Sequence, residues 1–160
     1  MRSKRRFGLP GVRNSMPRLV LVVLDTNVLI SALLKRASKP GQILDLALEG
    51  QLRLAFDARI LEEYREVIVR PKFSIDPSAA EAVLSYVQIM GLTVTVSEYL
   101  HDPLSMVDPA DLPFAEVALV AQVDALVTGN TRHFSGLDRL GVVVQTPAEF
   151  LECYASLVQG

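Results

Sequence analysis

The sequence predicts a single three-layer α/β/α domain built on a mainly parallel, five-stranded sheet. Three observations lead there. Five short apolar runs, at residues 19–24, 52–56, 93–96, 125–128 and 142–144, are too brief for helices and are bounded by turn-forming residues. The runs at 19–24, 125–127 and 142–144 are continuously apolar rather than alternating, as expected of strands covered on both faces. Segments with apolar residues at helical spacing separate most of them, with the length that a parallel crossover needs.

Taken in order, residues 19–24 form a strand that delivers Asp25, Thr26 and Asn27 at its carboxyl end, where open parallel sheets bind their ligands. A helix begins near Val28, carries Val28, Leu29, Ala32 and Leu33 inward, and ends at the polar break 35–40. The next helix covers about residues 40–49 and stops at Gly50. After the strand at 52–56, Asp57 caps a helix through Val69, whose inner side uses Ile60, Leu61, Tyr64, Val67 and Ile68. Pro71 prevents its continuation. Asp76 and Pro77 open a helix with Val83, Leu84, Val87 and Met90, closed by Gly91 before the strand at 93–96. Asp108-Pro109-Ala110-Asp111 is a capping arrangement for a helix to about Gln122, with Pro113 in its first turn. The strand at 125–128 runs into the turn-rich residues 129–133. After the strand at 142–144, Thr146, Pro147 and Glu149 form a capping box for a helix over 147–158.

No repeat or linker divides residues 19–158, which read as one domain. Half of the 160 residues are hydrophobic (50%), enough for a sizeable core. Asp25 interrupts the longest apolar run, so none approaches the roughly 18 residues of a membrane span. No secretory leader of signal-peptide form precedes it, and a cytoplasmic location is expected. Cys153 has no partner for an internal disulfide, and its place in an apolar helical pattern makes it a core or interface residue. Charge is uneven: Arg2, Lys4, Arg5, Arg6 and Arg13 are five of the 16 basic residues, so the rest carries 11 against 18 acids. Residues 1–18 are expected to be a disordered basic leader, or an extension upstream of a start at Met16; such a leader suits either phosphates or solvent.

Four acids stand at strand ends or early in helices: Asp25, Glu63, Asp108 and Asp111. An Asp ending a buried strand is a fixed oxygen ligand for a divalent cation, and it is equally a helix cap. Glu63 lies beside the stripe Ile60, Tyr64, Val67 and Ile68, whereas Glu62 falls toward solvent. Asp108 and Asp111, three apart, share one side of a first helical turn as caps or as ligands. Asn130, just past a strand exit, offers a neutral carbonyl or simply forms the turn. His133 is placed to orient Asn130, to meet phosphate, or to close a local hydrogen bond, and His101 has no defined partner. Two His and one Cys far apart suit zinc poorly, while oxygen ligands suit magnesium or manganese. No glycine-rich phosphate loop supports nucleotide-driven chemistry.

These motifs resemble the PIN domain family, and within it the bacterial and archaeal group described as toxins of toxin–antitoxin systems. The resemblance spans about residues 19–150. It rests on Asp25-Thr26-Asn27-Val28-Leu29-Ile30-Ser31, on Leu61-Glu62-Glu63-Tyr64 leading to Arg70-Pro71-Lys72-Phe73, on residues 108–114, and on Val127-Thr128-Gly129-Asn130 with His133-Phe134. It implies a Mg²⁺- or Mn²⁺-dependent ribonuclease acting on single-stranded or structured RNA, with Asp25, Glu63 and Asp111 as catalytic metal ligands. Asp108 and Asn130 are further candidates, and Thr26, Asn27, Thr128 and His133 are supporting residues. The fourth acidic position of the family falls on Asn130, an amide that brings no charge. The resemblance further implies a 3-2-1-4-5 strand order, homodimerisation and an antitoxin partner.

An acidic site that admits RNA needs a basic rim, for which Lys35, Arg36, Lys39, Arg70, Lys72 and Arg132 are the candidates. No interleaved aromatic pattern suggests extended base stacking, and the six Phe and four Tyr read mainly as core or helix-face residues. Two other readings compete: a PIN-like RNA- or protein-binding module weakened by Asn130, and a phosphohydrolase of small phosphomonoesters. The second lacks an Asp-x-Asp acceptor after the first strand.

Overall fold

An apolar run without alternation must be covered on both faces, and in the first strand Val20, Val22, Val23 and Leu24 are all fully buried. The computed structural model describes residues 18–97 and 104–159. The leader with Arg2, Lys4, Arg5, Arg6 and Arg13 lies outside these residues, as does His101. The strands are β1 (Val20–Leu24), β2 (Leu52–Phe56), β3 (Leu92–Thr93), β4 (Ala125–Val127) and β5 (Val144–Gln145). The helices are α1 (Thr26–Leu34), α2 (Lys39–Leu48), α3 (Ala58–Ile68), α4 (Pro77–Met90), α5 (Leu112–Ala121) and α6 (Pro147–Gln159). Short 3-10 turns cover Pro71–Phe73, Thr131–Phe134 and Leu137–Leu140.

The sheet order is β3-β2-β1-β4-β5 and every pairing is parallel. Val22 stands opposite Leu54 on one side and Ala125 on the other, which centres β1 in the core. From β1 the chain winds outward through β2 to β3, then returns to β4 on the opposite flank of β1. Connections therefore diverge between β1 and β4. A crevice opens beyond the carboxyl ends of those two strands, and Asp25 stands at that point. Helices complete the three layers: α5 lies across β1, β2 and β4, while α6 covers β4 and β5 and meets α2.

Local signals explain the helix starts. Asp57 accepts from the Ile60 amide at 3.0 Å and Asp76 from the Ala79 amide at 3.0 Å. Thr146 and Glu149 form the reciprocal box, with Thr146 N donating to Glu149 Oε1 at 2.9 Å and Glu149 N to Thr146 Oγ1 at 3.2 Å. Among the described residues no helix is long and apolar enough to cross a membrane.

Three expectations require correction. The edge strand expected at 93–96 is confined to Leu92–Thr93, with one further bond from Val94 N to Phe56 O at 2.8 Å. The strand expected at 142–144 is shifted to Val144–Gln145, because Val142 N is held by Leu137 O at 3.1 Å and its side chain is buried after the left-handed Gly141. Cys153 is exposed rather than in the core, since α6 turns Phe150, Tyr154 and Leu157 inward instead.

Gly91 makes the tight passage from α4 into β3. A Cβ there would lie 2.5 Å from Val87 O and 2.6 Å from Leu54 O, both backbone atoms that cannot swing aside. Gly91→Ala is expected to lower stability by about 1–3 kcal/mol in urea unfolding. An unchanged midpoint would show that this passage is looser than the packing indicates.

Candidate active site

A helix presents one stripe at spacings of three and four, and two such stripes face each other here. Asn27, Ile30, Ser31 and Leu34 on α1, and Glu63, Glu66 and Val67 on α3 with Arg70 just beyond it, line one cavity of about 540 Å³. Asp25 and Thr26 from the β1 exit, Asp111, His133 and Phe73 complete its lining. Three of the acids singled out in the sequence, Asp25, Glu63 and Asp111, thus come from three separate segments to one space.

Each of these carboxylates has a polar side chain against it. The Thr128 hydroxyl, at the exit of β4, donates to Asp25 Oδ2 at 2.7 Å, and the Thr26 amide donates to Asp25 Oδ1 at 2.8 Å. Asp25 is therefore both the cap of α1 and a wall of the cavity. The Thr26 hydroxyl donates to Glu63 Oε2 at 2.5 Å, which ties α3 to the start of α1. His133 Nδ1 lies 3.4 Å from Asp111 Oδ2, and its Nε2 is 2.8 Å from Asn130 Nδ2. Asn130 N donates to Thr128 Oγ1 at 3.0 Å. Polar contacts thereby run without a break from Asp111 through His133, Asn130, Thr128, Asp25 and Thr26 to Glu63.

Carboxylates outnumber cationic side chains in the lining of this site. Burial raises the Asp25 carboxyl above its usual range, against the opposing pull of the Thr128 and Thr26 hydrogen bonds and the His133 ring. Asp111 is raised by burial and next by the Asp25 charge; His133 opposes the shift, and Asp108 and Glu63 add to it. Among the described residues no group of three or more His, Cys, Asp or Glu side chains is gathered closely enough to hold a metal ion as they stand. The donor chemistry of the cavity is nonetheless that of a hard oxygen-seeking cation, with carboxylates converging and no thiolate present.

The other sequence candidates divide clearly. Asp108 is exposed, accepts from the Ala110 amide at 2.9 Å, and does not line the cavity. That bond makes Asp108 the turn former, while Asp111, at the start of α5, makes no capping bond and is free to face the cavity. Asn130 stands behind His133 rather than in the lining. Asn27 is exposed at the mouth, with Gly129 N donating to its Oδ1 at 3.5 Å. Of the basic candidates only Arg70 lines the cavity. Arg36 is paired with Asp45, Lys72 lies 5.1 Å from the Phe73 ring centroid, and Lys35, Lys39 and Arg132 are exposed away from the lining.

Four contributors escaped the sequence reading. Glu66 is one turn beyond Glu63 on the same stripe, a spacing that would have found it. Phe73 belongs to the cavity wall. Tyr64 was legible as a core residue, but its hydroxyl donates to Leu24 O at 2.6 Å and pins the residue before Asp25; burial first, then the Asp25 and Glu63 charges, keep that phenol protonated. Buried Glu116 pairs with Arg59 at 2.7 Å, and Arg59 also reaches Asp57 at 2.7 Å, which locks α3 to α5.

A family model described as PIN domain matches residues 21–132. No curated protein matches the chain. Among solved structures, a chain from the crystal structure of VapBC2 from Rickettsia felis bound to a DNA fragment from their promoter is similar at 17% identity. The match covers 79% of this chain and 98% of that one with a TM-score of 0.55, a likeness of fold.

A raised carboxyl binds its proton more tightly in the folded chain than in the unfolded one. Stability is therefore gained below the ordinary carboxyl value and lost as pH rises through the raised one. Without added metal, Asp111→Asn is expected to raise Tm at pH 7 by about 2–4 °C, a gain that shrinks as pH falls toward 4. A lower Tm for the variant at pH 7 would contradict the charge crowding described.

Proposed function

The chain belongs to the PIN domain family, and on that premise we propose that it is a Mg²⁺- or Mn²⁺-dependent ribonuclease hydrolysing phosphodiester bonds in single-stranded or structured RNA. The supporting observation is the convergence of Asp25, Glu63 and Asp111 on one cavity at the β1/β4 crevice. Carboxylates that raise one another's proton affinity gain most from a divalent cation.

In this reading Asp25, Glu63 and Asp111 hold the ion directly or through water. A bound Mg²⁺ or Mn²⁺ supplies a water of lowered pKa and offsets charge on the scissile phosphate. The chain's own part is positional. Thr128 and the Thr26 amide orient Asp25, the Thr26 hydroxyl orients Glu63, and His133 Nδ1 stands 3.4 Å from Asp111 Oδ2. Arg70 is half exposed in the lining, and its 3.7 Å pairing with Glu66 is weak enough to exchange for a phosphate oxygen.

The rival of a non-catalytic module rests on the amide at Asn130. Asn130 lies outside the lining and contacts His133, so the cavity keeps Asp25, Glu63 and Asp111 whichever residue stands there. The biological role assigned by this reading is a toxin whose groove an antitoxin covers. It is supported by the motif resemblance and by the fold shared with the VapBC2 chain.

Mn²⁺ titration by calorimetry, with cleavage of a mixed single-stranded RNA pool in the same samples, tests the assignment. Wild type is expected to bind Mn²⁺ and cleave; Asp25→Asn should lose both by about 100-fold or more, and His133→Ala should weaken metal affinity by about 10- to 100-fold. Folded wild type that neither binds nor cleaves would overturn the nuclease reading in favour of a binding module.

A further inference from the structure

The segment after α3 turns sharply: Phe73 N donates to Arg70 O at 3.1 Å, Ser74 N donates to Pro71 O at 3.1 Å, and Ser74 adopts a left-handed conformation at φ 51°. Arg70 caps this turn in an extended conformation and Phe73 closes it. Both line the cavity. Pro71, between them, has its φ fixed by its ring.

The cavity has two unlike parts. One carries Asp25, Glu63 and Asp111. The other is an apolar wall of Ile30, Leu34, Val67 and Phe73, in which Leu34 is 52% exposed at the mouth. With an acidic floor, only a cation and the phosphate it attracts belong on the first part. An uncharged planar group belongs on the second. The Lys72 ammonium lies over the Phe73 ring, 5.1 Å from its centroid, and with the Arg70 guanidinium of the lining it puts positive charge close to the wall, where a sugar-phosphate chain would pass.

Resting on the ribonuclease reading, we infer that the Phe73 wall is a subsite for one unpaired base of the RNA, next to the phosphate held over the acids. The cavity volume of about 540 Å³ is of the size that takes a small planar ligand. A base inside a duplex is paired and stacked on both faces, and reaches such a wall only after being extruded. The substrate at the cleavage point is therefore single-stranded or looped. The wall's aliphatic and aromatic groups read the face of a base rather than its hydrogen-bonding edge, so tolerance of base identity follows. A protein segment is the other class of occupant, but the cations close to Phe73 favour a polyanion.

The chain has no Trp, so Phe73→Trp introduces a single fluorescent reporter at the wall. In an Asp25→Asn background, which removes turnover, its emission is expected to be quenched by a mixed single-stranded RNA pool. The same pool annealed to its complements, and an abasic ribose-phosphate oligomer of equal length, should quench little. In the otherwise native chain, Phe73→Ala should raise KM for single-stranded RNA by about 5- to 100-fold with unchanged Mn²⁺ affinity, and Phe73→Tyr should restore it. Cleavage by wild type together with unaltered Phe73→Ala kinetics and a flat emission titration would overturn the base subsite while leaving the nuclease intact. Quenching by single strands without any cleavage or Mn²⁺ binding would instead retain the base subsite and remove the nuclease reading.

Discussion

The hydrogen bond from the Thr128 hydroxyl to Asp25 Oδ2, 2.7 Å across the gap between β1 and β4, is the contact on which the site's geometry depends. It exists because the strand order diverges there. A parallel sheet that winds outward from β1 and returns at β4 brings two strand exits side by side with no helix between them. Asp25 N also donates to Val127 O at 2.9 Å, so backbone and side chain are registered by the same pair of strands. Tyr64 adds a third restraint through Leu24 O. A carboxylate fixed from three directions does not relax away from its neighbours, and its charge must be met by something else.

That fixity sets fold stability against electrostatics. The core around β1 is mainly apolar, and α5 seals the sheet with Phe114, Ala115, Val117 and Ala118. Against this, Asp25 and Asp111 are held in partly buried positions where their charges repel. A chain selected only for stability would place amides or serines there. The contrast with Glu116 is instructive: that carboxylate is buried too, but Arg59 and Asp57 accompany it, and the trio joins two helices. Acids with a cationic partner serve the fold. Acids crowded together without one are the residues to which chemistry is assigned.

Most of the architecture was legible because short apolar runs, Asp and Thr caps and first-turn prolines are local signals, and they agreed with one another from β1 to α6. The edge strands were less so: β3 and β5 each have two residues, and their extent is fixed by where Gly91 and Gly141 release the chain rather than by any run of apolar residues. Asp25, Glu63 and Asp111 were legible from strand exit, helix stripe and helix start. Their linkage through Thr26, Thr128 and His133 was not, because residues 26, 63, 111, 128 and 133 meet only through the tertiary fold. Phe73 was not singled out as a site residue for a related reason. A single aromatic residue has no periodicity to report, and only the turn that follows α3 carries it into the cavity wall.

The amide at Asn130 bears on how such a site tolerates change. An acid at that position would put a second carboxylate against the His133 ring, opposite Asp111. Here His133 stands between Asn130 Nδ2, 2.8 Å from its Nε2, and Asp111 Oδ2, 3.4 Å from its Nδ1, and it opposes the raising of the Asp111 carboxyl. Replacing acid by amide thus changes what stands behind His133, and leaves the set of carboxylates facing the cavity as it was.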